Sequence, residues 1–144
     1  MAILESMEPA TPHLFVYGTL RPCLAGLEQQ RLIAELAVAG PATVPGVLYD
    51  IGPYPALVAG RGTVHGDLLT VCDDRQLALL DAYEETSGDD PLYRRELTVA
   101  TRPDGTTVPA WTYFYQRPLA GARVVASGDY REAIKAGARW PNTG

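Results

Sequence analysis

Cysteine is scarce in this 144-residue chain, with Cys23 and Cys72 the two present. Two thiols are too few for a disulfide framework, and their separation is not that of a metal-ligand pair. Lysine is scarcer still: Lys135 stands alone among twelve basic residues. No glycine-rich stretch precedes it, which excludes a phosphate loop of the kind that ends on lysine. Histidine is limited to His13 and His65, and the pairs Asp73-Asp74 and Asp89-Asp90 read as cap and turn residues, so no metal site is expected. Ser6, Ser87 and Ser127 lack the context of a nucleophile elbow, which argues against a serine-based triad. Positive charge is also in deficit. A net charge of −5 disfavours nucleic acid or an anionic membrane as partner, since neither would be neutralised. No hydrophobic run approaches membrane-spanning length, and the first residues carry no basic flank or apolar core of a signal peptide. A reducing, cytoplasmic setting is expected.

What the chain does have is turn-forming and apolar residues. Fourteen glycines and twelve prolines point to many turns joining short strands, and 47% hydrophobic residues suffice for a buried core. One domain is expected over 13–144, behind a flexible N-terminal arm, 1–12, that holds two prolines and little periodicity. A monomer or weak homodimer is expected.

The first hydrophobic run, Leu14 to Tyr17, reads as a strand of bulky residues, and Gly18-Thr19 breaks it abruptly. Glycine lets the backbone turn sharply and approach a ligand closely. Successive N–H groups in such a turn can form a nest for a carboxylate or phosphate, although an ordinary strand end has the same outline. Apolar spacing predicts a short helix from about Leu27 to Leu36, then a strand from Val44 to Ile51 interrupted at Pro45-Gly46. Gly40-Pro41 ends the helix or a short strand after it. Pro53 and Pro55 stiffen the loop from Gly52 to Val58, and this rigid loop with its aromatic Tyr54 is a candidate pocket wall or a plain turn. Thr63 to Cys72 alternates as a strand whose period of two turns Cys72 away from His65, against a Cys–His dyad.

Asp73 and Gln76 resemble a capping box, and Leu77, Leu80, Asp81 and Glu84 follow at the spacing of one helix face. A carboxylate carried inward with two leucines must be paired, hydrogen-bonded or protonated. Periodicity leaves Glu84 equally open to that position and to solvent beyond the helix end. Tyr93 to Ala100 and Val108 to Tyr115 are predicted to pair as a hairpin across the turn Arg102-Pro103-Asp104-Gly105-Thr106. Trp111, Tyr113 and Tyr115 share one face of the return strand, where core packing is the commoner use of such a row. Ser127 or Asp129 can cap a last helix through about Arg139, with Tyr130 and Ile134 inward.

An ordered set of short motifs runs through the chain: Tyr17-Gly18-Thr19-Leu20, Pro45-Gly46-Val47-Leu48-Tyr49, Gly52-Pro53-Tyr54-Pro55-Ala56-Leu57-Val58, Leu80-Asp81-Ala82-Tyr83-Glu84, Tyr93-Arg94-Arg95 and Trp111-Thr112-Tyr113-Phe114-Tyr115. Together they resemble the gamma-glutamylcyclotransferase-like family, in the branch of gamma-glutamylamine cyclotransferases and AIG2-like proteins. The resemblance implies an α+β fold with a small mixed, barrel-like sheet and a few packed helices. It implies that Glu84 is the catalytic acid/base, and that the turn Tyr17, Gly18, Thr19, Leu20 binds a γ-glutamyl moiety through backbone amides. Tyr54 and Tyr115 complete the expected substrate-binding set. The implied partner is a small γ-glutamyl substrate, cyclised to 5-oxoproline with release of an amine and with no cofactor or metal. The nest would hold the substrate α-carboxylate or, alternatively, a developing oxyanion. Glu85 stands where the family usually has glycine, and 86–91 lengthens the next connection, which bears on the amine accepted. A pocket-retaining protein that binds a small metabolite or a partner without turnover is the alternative; the inward carboxylate argues against it.

Overall fold

The computed structural model describes residues 12–18, 33–34, 36–51, 55–71, 74–83, 92–119 and 121–131. Strand β1 is His13–Val16, β2 is Ala37–Asp50 and β3 is Pro55–Thr70. Helix α1, Asp74–Tyr83, follows, then β4 (Tyr93–Thr101), β5 (Thr107–Tyr115) and the two-residue β6 (Arg123–Val124). Five strands form a closed ring. β1 pairs β3, β3 pairs β2, β2 pairs β4, β4 pairs β5, and β5 returns to β1. All of these pairings are antiparallel except β1 with β5, so the sheet is mixed. β6 adds to β2 outside the ring.

Period-two alternation sorts the strands into two cores. Phe15, Val44, Leu48, Leu57, Val64, Leu68 and Ala110 fill the barrel, and Tyr130 packs among them with no exposed surface. Leu14, Val16, Leu69 and Tyr113 face outward from the same strands, joined by Val71 just past the end of β3, and Leu77 and Leu80 of α1 cover them. Burying a leucine such as Leu80 stabilises by about 1.5–3 kcal/mol, so this second core fastens the helix to the sheet. No helix among the described residues is long and apolar enough to cross a membrane.

The β4–β5 hairpin forms as its sequence predicts, in register from Tyr93↔Tyr115 to Thr101↔Thr107. Its turn is closed by Asp104, whose Oδ1 accepts from the Thr106 N–H at 2.9 Å and the Thr106 hydroxyl at 2.7 Å. Elsewhere the strands outrun the expectation. β2 begins at Ala37 and continues through Gly40-Pro41 and Pro45-Gly46, both predicted as breaks. Register shifts at Val38/Gly40 and Pro45/Val47 absorb the irregularity as bulges. The prolines are tolerated because β2 meets β4 only through Thr43↔Thr101, so much of its other edge needs no N–H donor.

β3 likewise begins at Pro55, where a stiff loop through Val58 was expected, and it ends at Thr70. Pro55 opens the strand, the position where a missing donor costs least, and Asp50↔Pro55 through Val47↔Val58 continue the ladder. Most of the helix predicted over 27–36 lies outside the described residues. Of its apolar positions Ile33 and Leu36 are buried, and the Leu36 N–H donates to the Ile33 carbonyl at 2.9 Å. The last helix is described only at its start, where Asp129 Oδ1 accepts from the Arg131 N–H at 3.0 Å as a cap does.

Candidate active site

β1 is the middle strand between β3 and β5, and its end brings Tyr17 and Gly18 to the rim of the barrel. Two long-range hydrogen bonds seat it on β5. The Thr112 hydroxyl donates to the Phe15 carbonyl at 3.0 Å, and the Tyr17 hydroxyl donates to the Tyr113 carbonyl at 2.6 Å. Both are buried, where an unmade bond would cost about 1–3 kcal/mol.

Gly18 lies directly against Pro55. A Cβ on residue 18 would stand 2.8 Å from the proline Cγ and 3.3 Å from Cδ, closer than side chains pack. Glycine is therefore demanded here by a close approach. Pro55 is in turn held by Tyr93, whose hydroxyl donates to the proline carbonyl at 2.7 Å. Tyr93 packs edge-on against Tyr115, with ring centroids 5.7 Å apart and planes at 67°. Gly18, Pro55, Tyr93 and Tyr115 thus form one continuous wall.

Helix α1 approaches the same hairpin from outside. With Leu77 and Leu80 buried, Asp81 follows on the inward side and is three-quarters covered. Its carboxylate accepts three hydrogen bonds. Arg95 donates from Nε to Oδ1 at 2.8 Å and from Nη2 to Oδ2 at 3.1 Å, and the Tyr113 hydroxyl donates to Oδ1 at 2.8 Å. The guanidinium also lies 4.4 Å from the centre of the Trp111 ring, a cation–π stack that fixes its plane. Tyr113 is therefore bonded at both ends, its carbonyl to Tyr17 and its hydroxyl to Asp81.

Of the residues that the sequence nominates, Tyr17, Gly18 and Tyr115 are described, and Pro55 and Tyr93 link the last two. Thr19, Leu20, Tyr54 and Glu84 lie outside the described residues. Leu77, Leu80 and Asp81 take the inward face that their spacing predicts. Pro55 belongs to the loop that the sequence offers as a candidate wall, whereas Tyr93 was missed as a wall residue. Alternation along β4 places Tyr93 on the same side as Arg95 and was the available signal; their partners, 38 and 14 residues away, were not. Among the described residues, no group of three or more His, Cys, Asp or Glu side chains could hold a metal ion. A separate cleft of about 360 Å³, which includes Thr43, His65, Thr101, Arg102 and Arg131, takes in none of the nominated residues.

Comparison with known proteins places the fold in a family. Residues 14–132 match the family model described as gamma-glutamyl cyclotransferase, AIG2-like. The gamma-glutamylcyclotransferase family protein YtfP of Escherichia coli is 34% identical over 125 residues, covering 85% of this chain and 98% of the relative. The solution structure of the Escherichia coli protein superposes with a TM-score of 0.62 over 84% of this chain and 97% of that one. The crystal structure of YkqA from Bacillus subtilis reaches a TM-score of 0.71 at 23% identity, a likeness of fold alone. It covers 92% of this chain, which spans only 44% of that protein. With the matched region running from β1 to the start of the last helix, the chain belongs to the gamma-glutamyl cyclotransferase, AIG2-like family.

Proposed function

We propose that the protein is a cytoplasmic γ-glutamyl cyclotransferase, converting a γ-glutamyl amide to 5-oxoproline and a free amine, with Glu84 as acid/base. The observation that carries the reading is Tyr113. One residue ties the end of β1, and hence the Gly18 turn, to the inward face of α1. The acid/base carboxylate and the anion-binding turn are the two parts such a reaction needs, and they follow directly in sequence from these tied segments.

The chemistry asks little beyond orientation. Nucleophile and electrophile belong to one substrate: the α-amine attacks the γ-carbonyl carbon, and the bond from that carbon to the amine nitrogen breaks. Holding the two in line can contribute up to about 7–11 kcal/mol in favourable intramolecular cases. The amine attacks in its neutral form. Glu84 takes a proton from it as the ring closes and returns that proton to the leaving nitrogen, so the carboxylate is regenerated. A positioned acid/base of this kind is worth about 10²–10⁴-fold. The N–H groups of Gly18, Thr19 and Leu20 receive an anionic oxygen of the glutamyl moiety, and Tyr17, Tyr54 and Tyr115 line its pocket. This route calls for no metal and no covalent intermediate.

The test is 5-oxoproline release from γ-glutamyl-alanine and γ-glutamyl-ε-lysine by the protein and by Glu84→Gln. Release by the protein and its loss, by about 10² or more, in Glu84→Gln is expected. Equal turnover by both would remove Glu84 from the mechanism. Tight binding with no 5-oxoproline from either would make the protein a metabolite binder.

A further inference from the structure

The cleft of about 360 Å³ that lies apart from the nominated residues has a floor set by strand register. Thr101 of β4 pairs with Thr43 of β2, and Thr43 pairs with His65 of β3. Directly paired residues share a face of the sheet, and the neighbours Ala100, Ala42, Val44 and Val64 all fill the barrel. The two hydroxyls and the imidazole therefore stand in one row on the outside of the ring. At ordinary strand spacing the row is about 10 Å from end to end.

An arginine serves each end of this row. Arg102 follows Thr101 directly, in a turn fixed by two backbone hydrogen bonds: the Arg102 N–H donates to the Thr106 carbonyl at 2.8 Å, and the Gly105 N–H donates to the Arg102 carbonyl at 2.9 Å. Arg131 belongs to the His65 end. The His65 N–H donates to the Gly128 carbonyl at 2.7 Å, and position 128, with φ of +72°, demands glycine because a Cβ there would strike the Thr63 carbonyl. Three residues on, Arg131 lines the cleft. Asp129 fixes its guanidinium plane, accepting from Nε at Oδ1 at 3.3 Å and from Nη2 at Oδ2 at 3.0 Å, while 49% of the arginine side chain stays exposed.

None of the described residues lining the cleft is acidic. Asp67, Asp104 and Asp129 stand two residues from His65, Arg102 and Arg131 respectively, and none of the three lines it. Asp129 offsets part of the Arg131 charge, whereas Asp104 is hydrogen-bonded within its own turn to Thr106. His13 registers the positive field: its imidazole is held below the usual value by burial first and by Arg102 second. On a chain of net charge −5 this is a local concentration of cationic donors.

We propose that this cleft is a binding site for a small organic phosphate, separate from the active site proposed above. Guanidinium groups from two sides over a floor of hydroxyls match the three terminal oxygens of a phosphate, whereas a carboxylate offers two in one plane. Pro41 and Pro103 also line the cleft and give the ligand's apolar part a rigid surface. The volume is that of a small-molecule pocket, larger than bare phosphate needs. A long polyanion does not suit it, because the acidic chain around it would repel one.

The experiment is a proton NMR titration of the full chain at fixed pH and ionic strength. With two histidines in the sequence, the His65 imidazole signal is assigned by its loss in His65→Asn. Inorganic phosphate, phenyl phosphate, acetate and chloride are titrated in turn. A saturable shift of His65 with inorganic phosphate is expected, and tighter binding of phenyl phosphate, whose ring can cover the prolines. Arg102→Gln should raise the phosphate Kd by about tenfold or more, the loss of one charge-assisted hydrogen bond. Thermal melting checks that the variant folds, and Arg131→Gln supplies the same comparison from the other end of the row should Arg102→Gln melt early. A response to phosphate no greater than to chloride overturns the site, as does an unchanged Kd in the folded variant. Acetate binding more tightly than phosphate, or phenyl phosphate no tighter than inorganic phosphate, overturns the ligand class. The titration needs no turnover, so its result stands whether or not 5-oxoproline is formed.

Discussion

Gly18→Ala perturbs the turn at a point where the structure fixes the direction of the response. The new Cβ would begin 2.8 Å from Pro55 Cγ, and the separation must open to at least 3.4 Å to reach ordinary contact. Pro55 cannot retreat easily: its residue is paired with Asp50 across the β2–β3 ladder, and its carbonyl is held by Tyr93 at 2.7 Å. The turn must therefore move by several tenths of an ångström. Overpacking of this kind costs about 1–3 kcal/mol. In a chain near 150 residues each kcal/mol lowers Tm by about 2–4 °C. The same displacement sits on the amides proposed to hold the substrate, so kcat/KM should fall by about 10–10²-fold. Thermal melting and 5-oxoproline release measure the two effects. Pro55→Ala removes both ring atoms that the new Cβ would meet, so adding it to Gly18→Ala should restore much of the activity. A Gly18→Ala protein with unchanged Tm and turnover, or one that Pro55→Ala does not rescue, would refute the argument.

Tyr93→Phe leaves the buried Pro55 carbonyl without its donor and should cost about 1–3 kcal/mol, read as a lower urea midpoint. Leu80→Ala empties the contact between α1 and the outer core and should cost about 2–5 kcal/mol, also by urea titration, while Leu79→Ala on the exposed face should cost far less. Burial first, and then the nearby Arg102 charge, hold the His13 imidazole below its usual value of 6.5. The unfolded chain therefore takes up this proton at higher pH than the folded one, so stability is full above 6.5 and declines as pH falls below it. His13→Asn should flatten that part of a Tm-against-pH profile, and an unchanged slope would contradict the assignment.

The elements whose signals are local could be read directly from the sequence. The hairpin of β4 and β5 follows from alternation on either side of Pro103-Asp104-Gly105, and α1 from the spacing of Leu77 and Leu80. The strand ending at Tyr17-Gly18 was equally plain. Closure of the ring was not, because it depends on pairings such as Leu14↔Trp111 that bring distant segments together; it came from family likeness. The prolines of β2 misled for a related reason. Pro41 and Pro45 break a strand that needs donors on both edges, and only the folded sheet shows that much of one edge of β2 is free of that demand. The site divides the same way. Gly18 and the inward face of Asp81 were legible locally, whereas the contact of Gly18 with Pro55 and the grip of Arg95 on Asp81 are tertiary facts.

The proposed reaction closes a ring within the substrate and takes no atom from water. Turnover of γ-glutamyl-alanine in oxygen-18 water, followed by mass spectrometry, tests this most directly. The account predicts unlabelled 5-oxoproline and free alanine in equal amounts, with no labelled glutamate. Glutamate carrying the heavy oxygen as the first-formed product would show hydrolysis in place of cyclisation and contradict it.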